Sequence, residues 1–161
     1  MNDKNITIRR AVTGDAARLS LMLRKIAEYH RAGRPDIFAP ASAKYDVPAI
    51  LEKLSDKNNI MFVAADADDT AVGYAMALIE TPDAPHLIRR KIFYLDDLFV
   101  EEEYRGRGAG LALMDACVEC AKALGCDAFE LNVWRFDGDA SRFYENYGFT
   151  VQRQEMELTI K

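Results

Sequence analysis

The pattern of apolar and polar residues predicts strands and helices that alternate along the chain. Apolar residues occur at every second position, or in short continuous runs, where we expect strands. These segments are 6–11, 60–67, 71–80, 91–100 and 128–134, followed by a final strand or strand pair over 149–160. Apolar residues at helical spacing predict helices over about 15–30, 49–54, 111–124 and 139–146. Because helices both interrupt and follow the strands, we expect a mixed α/β or α+β sheet domain.

Length and charge narrow the class of protein. The chain has 161 residues, which favours one domain over 1–161, because a second core would be too small. Its 26 acidic and 21 basic residues disfavour general nucleic-acid binding, since attraction to phosphate needs clustered Lys and Arg. No apolar run reaches the ~18 residues of a membrane span, and residues 1–5 are too polar for a signal peptide. We therefore expect a cytoplasmic protein that binds neither nucleic acid nor membrane.

The cysteines are candidates for metal or redox chemistry. Cys117 and Cys120 have zinc-ligand spacing, but no second ligand pair follows, and the two histidines are far away in the sequence. Both cysteines lie in an apolar helical stretch, and the odd total of three argues against a disulfide framework. We interpret Cys117, Cys120 and Cys126 as buried thiols and expect no metal site.

The most informative segment is a glycine-rich junction that follows one predicted strand and opens a predicted helix. Its glycines and arginines are Arg105, Gly106, Arg107, Gly108 and Gly110. The glycines let backbone N–H groups approach an anion without an intervening Cβ, and the helix start adds partial positive charge. The guanidinium groups add full charges, so the junction predicts a phosphate-binding loop. It completes neither the P-loop motif nor the dinucleotide-binding G-x-G-x-x-G motif.

Two motifs resemble those of the GNAT acyltransferase superfamily. Arg105-x-x-Gly108-x-Gly110 resembles its pyrophosphate-binding motif, and residues 140–149 resemble its A-x-x-F-Y-x-x-x-G-F stretch. The two are separated by one helix and one strand, as in the family. The resemblance implies an α+β fold with a mixed, mostly antiparallel sheet of six or seven strands and about four helices. It also implies acetyl-CoA, or coenzyme A, as the cofactor.

The resemblance implies which residues hold that cofactor. Backbone amides of the glycine-rich loop would bind the diphosphate, and the strand before the loop would pair with the pantetheine arm. Asn132 and Ser141 would add side-chain contacts, whereas Asp137 stands where many family members carry Asn. The implied cofactor-binding residues are Leu98, Phe99, Val100, Arg105, Gly106, Arg107, Gly108, Ala109, Gly110, Asn132, Ser141 and Tyr144.

A tyrosine acid and a carboxylate base are implied as the catalytic groups. Tyr144 matches the family tyrosine that protonates the leaving sulfur, and a phenol with a pKa of about 10 stays protonated at neutral pH. Asp96 and Asp97 lie on the strand at 91–100, where strict alternation directs them to opposite faces. This segment is similar to the spermidine/spermine-type diamine acetyltransferases, in which an acid at the position of Asp96 helps to deprotonate the amine. Asp96, Asp97 and a water chain all remain open as the base.

We therefore expect an acetyl-CoA-dependent N-acetyltransferase that acts on a primary amine by direct attack in a ternary complex. The acceptor would be a small amine, either a polyamine or an amino compound. The alternatives are acetylation of a protein amine and a non-catalytic acyl-CoA-binding module. Residues expected to line the acceptor pocket are Tyr29, Phe38, Tyr45, His86 and Trp134. The alternating apolar residues of the last predicted strand indicate a sheet edge that pairs across a homodimer.

Overall fold

A computed structural model describes residues 5–40 and 43–160 of the chain. Its strands are β1 (Thr7–Arg10), β2 (Asn59–Ala65), β3 (Ala71–Glu80), β4 (Ile92–Val100) and β5 (Ala128–Leu131). Its α-helices are α1 (Ala16–Gly33), α2 (Val47–Ser55), α3 (Ala109–Ala123) and α4 (Gly138–Tyr147). Across these described ranges, every helix is too short or too polar to cross a bilayer.

The strands form one mixed sheet in the order β1-β2-β3-β4-β5. β1 to β4 are antiparallel neighbours, whereas β5 runs parallel to β4. The parallel pair needs a long crossover, which α3 supplies. The expected fold class is therefore confirmed, although the described part of the chain contains five strands rather than six or seven.

The missing strands belong to the C-terminal segment. The strand or strand pair predicted over 149–160 is wrong, because this segment has no regular secondary structure. Met156, Leu158 and Ile160 are 90%, 83% and 83% exposed. Alternation identifies a sequence that can form a strand, but the strand forms only where a sheet edge and a core receive it. The segment instead lies exposed, with Glu157 paired to Arg34 at 2.9 Å.

Helices cover both faces of the sheet and create two cores. On one face, α3 packs against β3 and β4, and the largest fully buried residues there are Phe93, Leu113, Met114 and Cys117. On the other face, α1 packs against β3 and α2 packs against β2, with a fully buried set of Leu19, Met22, Leu23, Ile50 and Tyr74. The predicted burial is confirmed for Cys117, where burial raises the pKa of the thiol to about 12, but it is wrong for Cys120 and Cys126, which are only partly buried.

The packing of α3 predicts that two of its leucines contribute differently to the free energy of unfolding. Leu113 is fully buried against the sheet, whereas Leu111 is 50% exposed. We expect Leu113→Ala to lower the free energy of unfolding by about 2–5 kcal/mol, because it leaves a cavity, and Leu111→Ala to change it by less than about 0.5 kcal/mol. Urea unfolding of both variants checks this. Equal effects of the two substitutions would contradict the packing described here.

Candidate active site

β4 and β5 pair along only the first half of β4. Their parallel register runs from Ile92 opposite Ala128 to Leu95 opposite Leu131, where β5 ends. β4 continues to Val100 and has no strand on that side, within the described ranges, over its second half. Backbone N–H and C=O groups that face this slot need other partners. Three of the expected cofactor-binding residues, Leu98, Phe99 and Val100, therefore lie on an edge that can accept an extended ligand.

A bulge in β4 coincides with the two adjacent carboxylates. Consecutive positions 76 and 77 of β3 pair with Asp97 and Leu95, so Asp96 is an extra residue on β4. Leu95 and Leu98 both contact the α3-side core, whereas strict alternation would place them on opposite faces. The alternation expected across Asp96 and Asp97 is therefore interrupted. Because of the bulge, the directions of the Asp96 and Asp97 side chains do not follow from alternation, and the contacts of each residue define its surroundings.

Asp96 is the more exposed of the two carboxylates, and both of its oxygens are engaged. Its side chain is 21% exposed. Lys44 Nζ lies 2.7 Å from Oδ1, and the Tyr45 hydroxyl donates to Oδ2 at 3.0 Å. Burial and the charge of Asp96 raise the pKa of Tyr45 well above its ordinary value. Lys44 and Tyr45, which precede α2, thus both contact Asp96, and Lys44 supplies a cation to it.

Asp97 is buried, with 8% of its surface exposed. Burial raises its pKa to about 7, opposed by the charge of Lys44 and reinforced by that of Asp96. Tyr74 is fully buried nearby, and its hydroxyl finds no hydrogen-bond partner within the described residues. Burial and the charge of Asp97 raise the pKa of Tyr74. A carboxyl group that titrates near neutral pH is suited to exchange protons with a reacting amine.

Tyr144 lies on α4, and the start of this helix is fixed by Asp137. The Asp137 carboxylate accepts a hydrogen bond from the Ala140 N–H at 3.0 Å, which is an N-cap. Asp137 therefore has a structural function where the family often carries Asn. Burial, followed by the charge of Asp97, raises the pKa of Tyr144 far above that of a free phenol. The hydroxyl remains protonated at neutral pH, as a general acid requires.

The glycine-rich junction has the geometry of an anion-binding loop. Gly106 and Gly108 have φ angles of +71° and +82°, and Gly108 is the N-cap of α3. These angles strain any residue with a Cβ. Among the described residues, and apart from the chain neighbours of each glycine, no atom lies within 4 Å of the place where a Cβ would stand, so a ligand has room to approach. The first N–H groups of α3 have no intrahelical acceptors and fit a diphosphate.

The side chains expected to help bind the cofactor have partners of their own. Arg105 Nε donates to the Val100 carbonyl at 2.8 Å, and the Asn132 amide donates to the Tyr94 hydroxyl at 2.8 Å. The guanidinium of Arg107 lies 5.8 Å from the centre of the Tyr104 ring. The remaining expected residues lie on the first turns of two helices and are Ala109, Gly110 and Ser141.

Aromatic rings gather between the end of α1 and the segment after β5. Trp134 lies 5.3 Å from Phe38 and 6.1 Å from Phe136, measured between ring centroids, and Tyr29 lies 6.2 Å from Phe136. His30 also contacts Phe38 and Phe136. The α1 helix approaches so closely that a Cβ on Gly33 would be 2.5 Å from the Phe136 ring.

Three of the five residues expected in the acceptor pocket are thus brought together. Tyr45 instead contacts Asp96, and His86 is exposed on the loop between β3 and β4. His30 and Phe136 in the aromatic group, and Lys44 and Tyr74 beside the carboxylates, were not predicted from the sequence. A Trp-x-Phe pair after a predicted strand was the available signal for Phe136, whereas only tertiary contacts reveal Lys44 and Tyr74.

Comparison with known proteins identifies the family. The sequence profile of the acetyltransferase (GNAT) family matches residues 23–149. The chain belongs to this family. A solved structure from Bacillus halodurans, the tetramutant of the BH1408 protein, shares the GNAT fold of this chain with a TM-score of 0.90 and 29% identity. The match covers 96% of this chain and 99% of that one.

Two GNAT relatives have named activities. L-ornithine N5-acetyltransferase NATA1 of Arabidopsis thaliana is 30% identical over 127 residues, which cover 78% of this chain and 52% of the plant protein. The chain therefore spans about half the length of that relative. Thialysine N-epsilon-acetyltransferase of Sus scrofa is 25% identical over 164 residues, which cover 89% of this chain and 84% of the pig protein.

The raised pKa of Asp97 predicts how stability changes with pH. The folded pKa of about 7 lies above the unfolded value of about 3.9, so the folded state binds more protons between them. The contribution of Asp97 to the free energy of unfolding is therefore lost as the pH rises from about 4 to about 7, by up to roughly 4 kcal/mol. Asp97→Asn removes this loss. Urea unfolding should show that the free energy of unfolding falls less for the variant than for the wild type between pH 5 and pH 8. An equal change in the two proteins would contradict the raised pKa of Asp97.

Proposed function

We propose that the chain transfers an acetyl group from acetyl-CoA to a small primary amine by direct attack in a ternary complex. One observation carries this proposal. The half of β4 that has no strand on its β5 side leads from the glycine-rich loop at one end to Asp97, next to the bulge at Asp96. Burial and the charge of Asp97 raise the pKa of Tyr144. A thioester carrier needs both a diphosphate site and an acid–base pair near the reacting carbonyl.

The residues present fit the cofactor. Backbone groups of Leu98, Phe99 and Val100 would pair with the pantetheine arm, as an added strand pairs with a sheet edge. The amides of loop 105–110 would hold the diphosphate, with Asn132 and Ser141 beside the arm. When bound, acetyl-CoA supplies an activated thioester. Arg105 would have to exchange its bond to the Val100 carbonyl for the ligand.

The two carboxylates divide the handling of the amine between them. An aliphatic amine with a pKa of about 10.4 must lose a proton before attack, which costs about 4 kcal/mol at neutral pH. Asp96, the more exposed carboxylate, would bind the ammonium group of the acceptor. Asp97, with its pKa of about 7, would receive the proton directly or through water. Tyr144 would donate its proton to the leaving sulfur, and a backbone N–H of β4, expected at Val100, would stabilise the oxyanion.

A small amine suits the acceptor pocket. Aromatic rings such as Phe38 and Trp134, together with the two carboxylates, favour a cation by ring and charge attraction. The named activities of the plant and pig relatives, on ornithine and thialysine, are acetylations of small amines. A polyamine or an amino compound is therefore favoured over a protein amine. A non-catalytic acyl-CoA-binding module is the second candidate, and it would not depend on Tyr144.

Tyr144→Phe tests the catalytic role against the binding module. We expect the rate of acetyl transfer to fall by roughly 10²–10⁴-fold because the leaving sulfur loses its acid. Coenzyme A should still raise the melting temperature, because binding to the folded state alone stabilises it. Tyr147→Phe is the matched control on the same helix, since that hydroxyl donates to Asp115 at 2.7 Å. Unchanged turnover in Tyr144→Phe would remove the tyrosine from the mechanism, and tight coenzyme A binding without transfer to any amine would support the module.

A homodimer formed through the C-terminal segment is the assembly that we propose. Its exposed alternating residues, including Met156 and Leu158, favour burial against a second copy. Light scattering should give twice the chain mass of 18.1 kDa. Leu158→Asp should lower that value, whereas Ile88→Asp, at a loop position 88% exposed, should not. A monomer at all concentrations would contradict the dimer.

A further inference from the structure

The segment between α1 and α2 places a primary amine of the protein itself on the acceptor side of the site. Lys44 Nζ lies 2.7 Å from Asp96 Oδ1 and 3.4 Å from the Asp96 backbone oxygen. Its side chain is 40% exposed, so the ammonium group is reached from solvent while it bonds Asp96. Lys44 thus bonds the carboxylate to which the proposed function assigns the acceptor ammonium.

The Lys44 ammonium group contacts one aromatic ring and acts electrostatically on two neighbouring titratable groups. The charge of Lys44 lowers the pKa of buried Asp97, against the larger effect of burial. Burial lowers the pKa of His30, and the charge of Lys44 lowers it further. Lys44 Nζ also lies 5.6 Å from the centre of the Tyr45 ring. The amine therefore bonds Asp96, lies over the Tyr45 ring and is close enough for its charge to act on Asp97 and His30.

A tethered amine at this place has an advantage over one in solution. Because it is part of the protein, it loses no further translational entropy when it reaches the thioester, and such intramolecular reactions reach very high effective concentrations. The four-carbon stem of lysine is flexible, so Nζ can move from Asp96 towards the acyl carbon. Only an acceptor that displaces Lys44 from Asp96 can compete with it.

We propose that Lys44 is an internal acceptor, acetylated by the protein's own site when no external amine occupies it. This inference rests on the proposed function. The Lys44 ammonium loses one proton to a carboxylate of the site, and its nitrogen then forms a bond to the acyl carbon. The carbon–sulfur bond breaks, the sulfur takes the Tyr144 proton, and the products are Nζ-acetyl-Lys44 and coenzyme A. A further proton leaves Lys44 as the amide forms and restores Tyr144.

Acetylation would also change the site for later turnovers. The acetylated side chain carries no charge and no longer forms an ion pair with Asp96. The carboxylate is then available to an external ammonium group. Lys44 is therefore both a competitor of the acceptor and, once modified, a residue that leaves the acceptor subsite open.

The direct test is mass spectrometry of the purified full chain incubated with acetyl-CoA and no amine. We expect the intact mass to rise by one acetyl group, and peptide mapping to place that group on Lys44 before any other lysine is modified. Addition of L-ornithine or spermidine should slow the modification. Tyr144→Phe should slow it as well, because enzymatic transfer needs the acid. Label spread over exposed lysines such as Lys122, at a rate that Tyr144→Phe leaves unchanged, would overturn the proposal.

Two conservative variants make the test specific. Lys44→Arg keeps the positive charge but should abolish the mass increase. Lys53→Arg is the matched control, because Lys53 Nζ lies 4.4 Å from the centre of the same Tyr45 ring but bonds Asn59 instead of a carboxylate. It should leave the modification intact. Modification that persists in Lys44→Arg, or that is lost only in Lys53→Arg, contradicts the assignment.

The failure of this inference is distinguishable from failure of the proposed function. A melting-temperature shift with coenzyme A, and transfer to L-ornithine or spermidine, report on the proposed function alone. If both occur while Lys44 stays unmodified, the internal-acceptor proposal is overturned and the enzyme assignment stands. If coenzyme A does not stabilise the chain and no amine is acetylated, both are overturned.

Discussion

The early end of β5 is the constraint on which the rest of this structure depends. A sheet interior leaves no backbone group unpaired, yet β4 extends beyond Leu131, the last residue of its parallel neighbour. The edge that results has no strand beside it from Asp96 to Val100, within the described ranges, and leads along the chain to the loop that opens α3. The cofactor binding, acid–base chemistry and acceptor access that we propose all depend on this incomplete pairing.

The bulge at Asp96 adds a second constraint, which is electrostatic. Two adjacent carboxylates cannot both be buried and ionised without a large cost. The protein resolves this by exposing Asp96 to a lysine and a tyrosine while Asp97 stays inside with a pKa of about 7. Neighbouring residues of the same chemical type thereby acquire different protonation behaviour. The roles that we propose for them, holding an amine and accepting its proton, rest on this difference.

Much of the fold and part of the site could be predicted from the sequence because the relevant signals are local. The phosphate-binding loop depends on glycines at positions 106 and 108, whose φ angles are positive in the structure. The position of Tyr144 on a short helix follows from its own motif. The bulge could not be predicted, since apolar alternation does not reveal one extra residue in a strand. Lys44 reaches Asp96 across 52 positions of sequence, and no spacing rule connects the two. The C-terminal segment has a strand-like pattern, but whether it pairs is decided by the rest of the sheet.

The close approach of α1 to the aromatic group has a consequence for the evolution of substrate range. Gly33 is the only residue type at that position that leaves the Phe136 ring where it stands, because even one added methyl group would overlap it. A larger residue there would displace the ring and change the aromatic group to which we assign the acceptor pocket. In the proposed pocket, the range of amines admitted would therefore depend on the hydrogen atom that takes the place of a side chain at position 33.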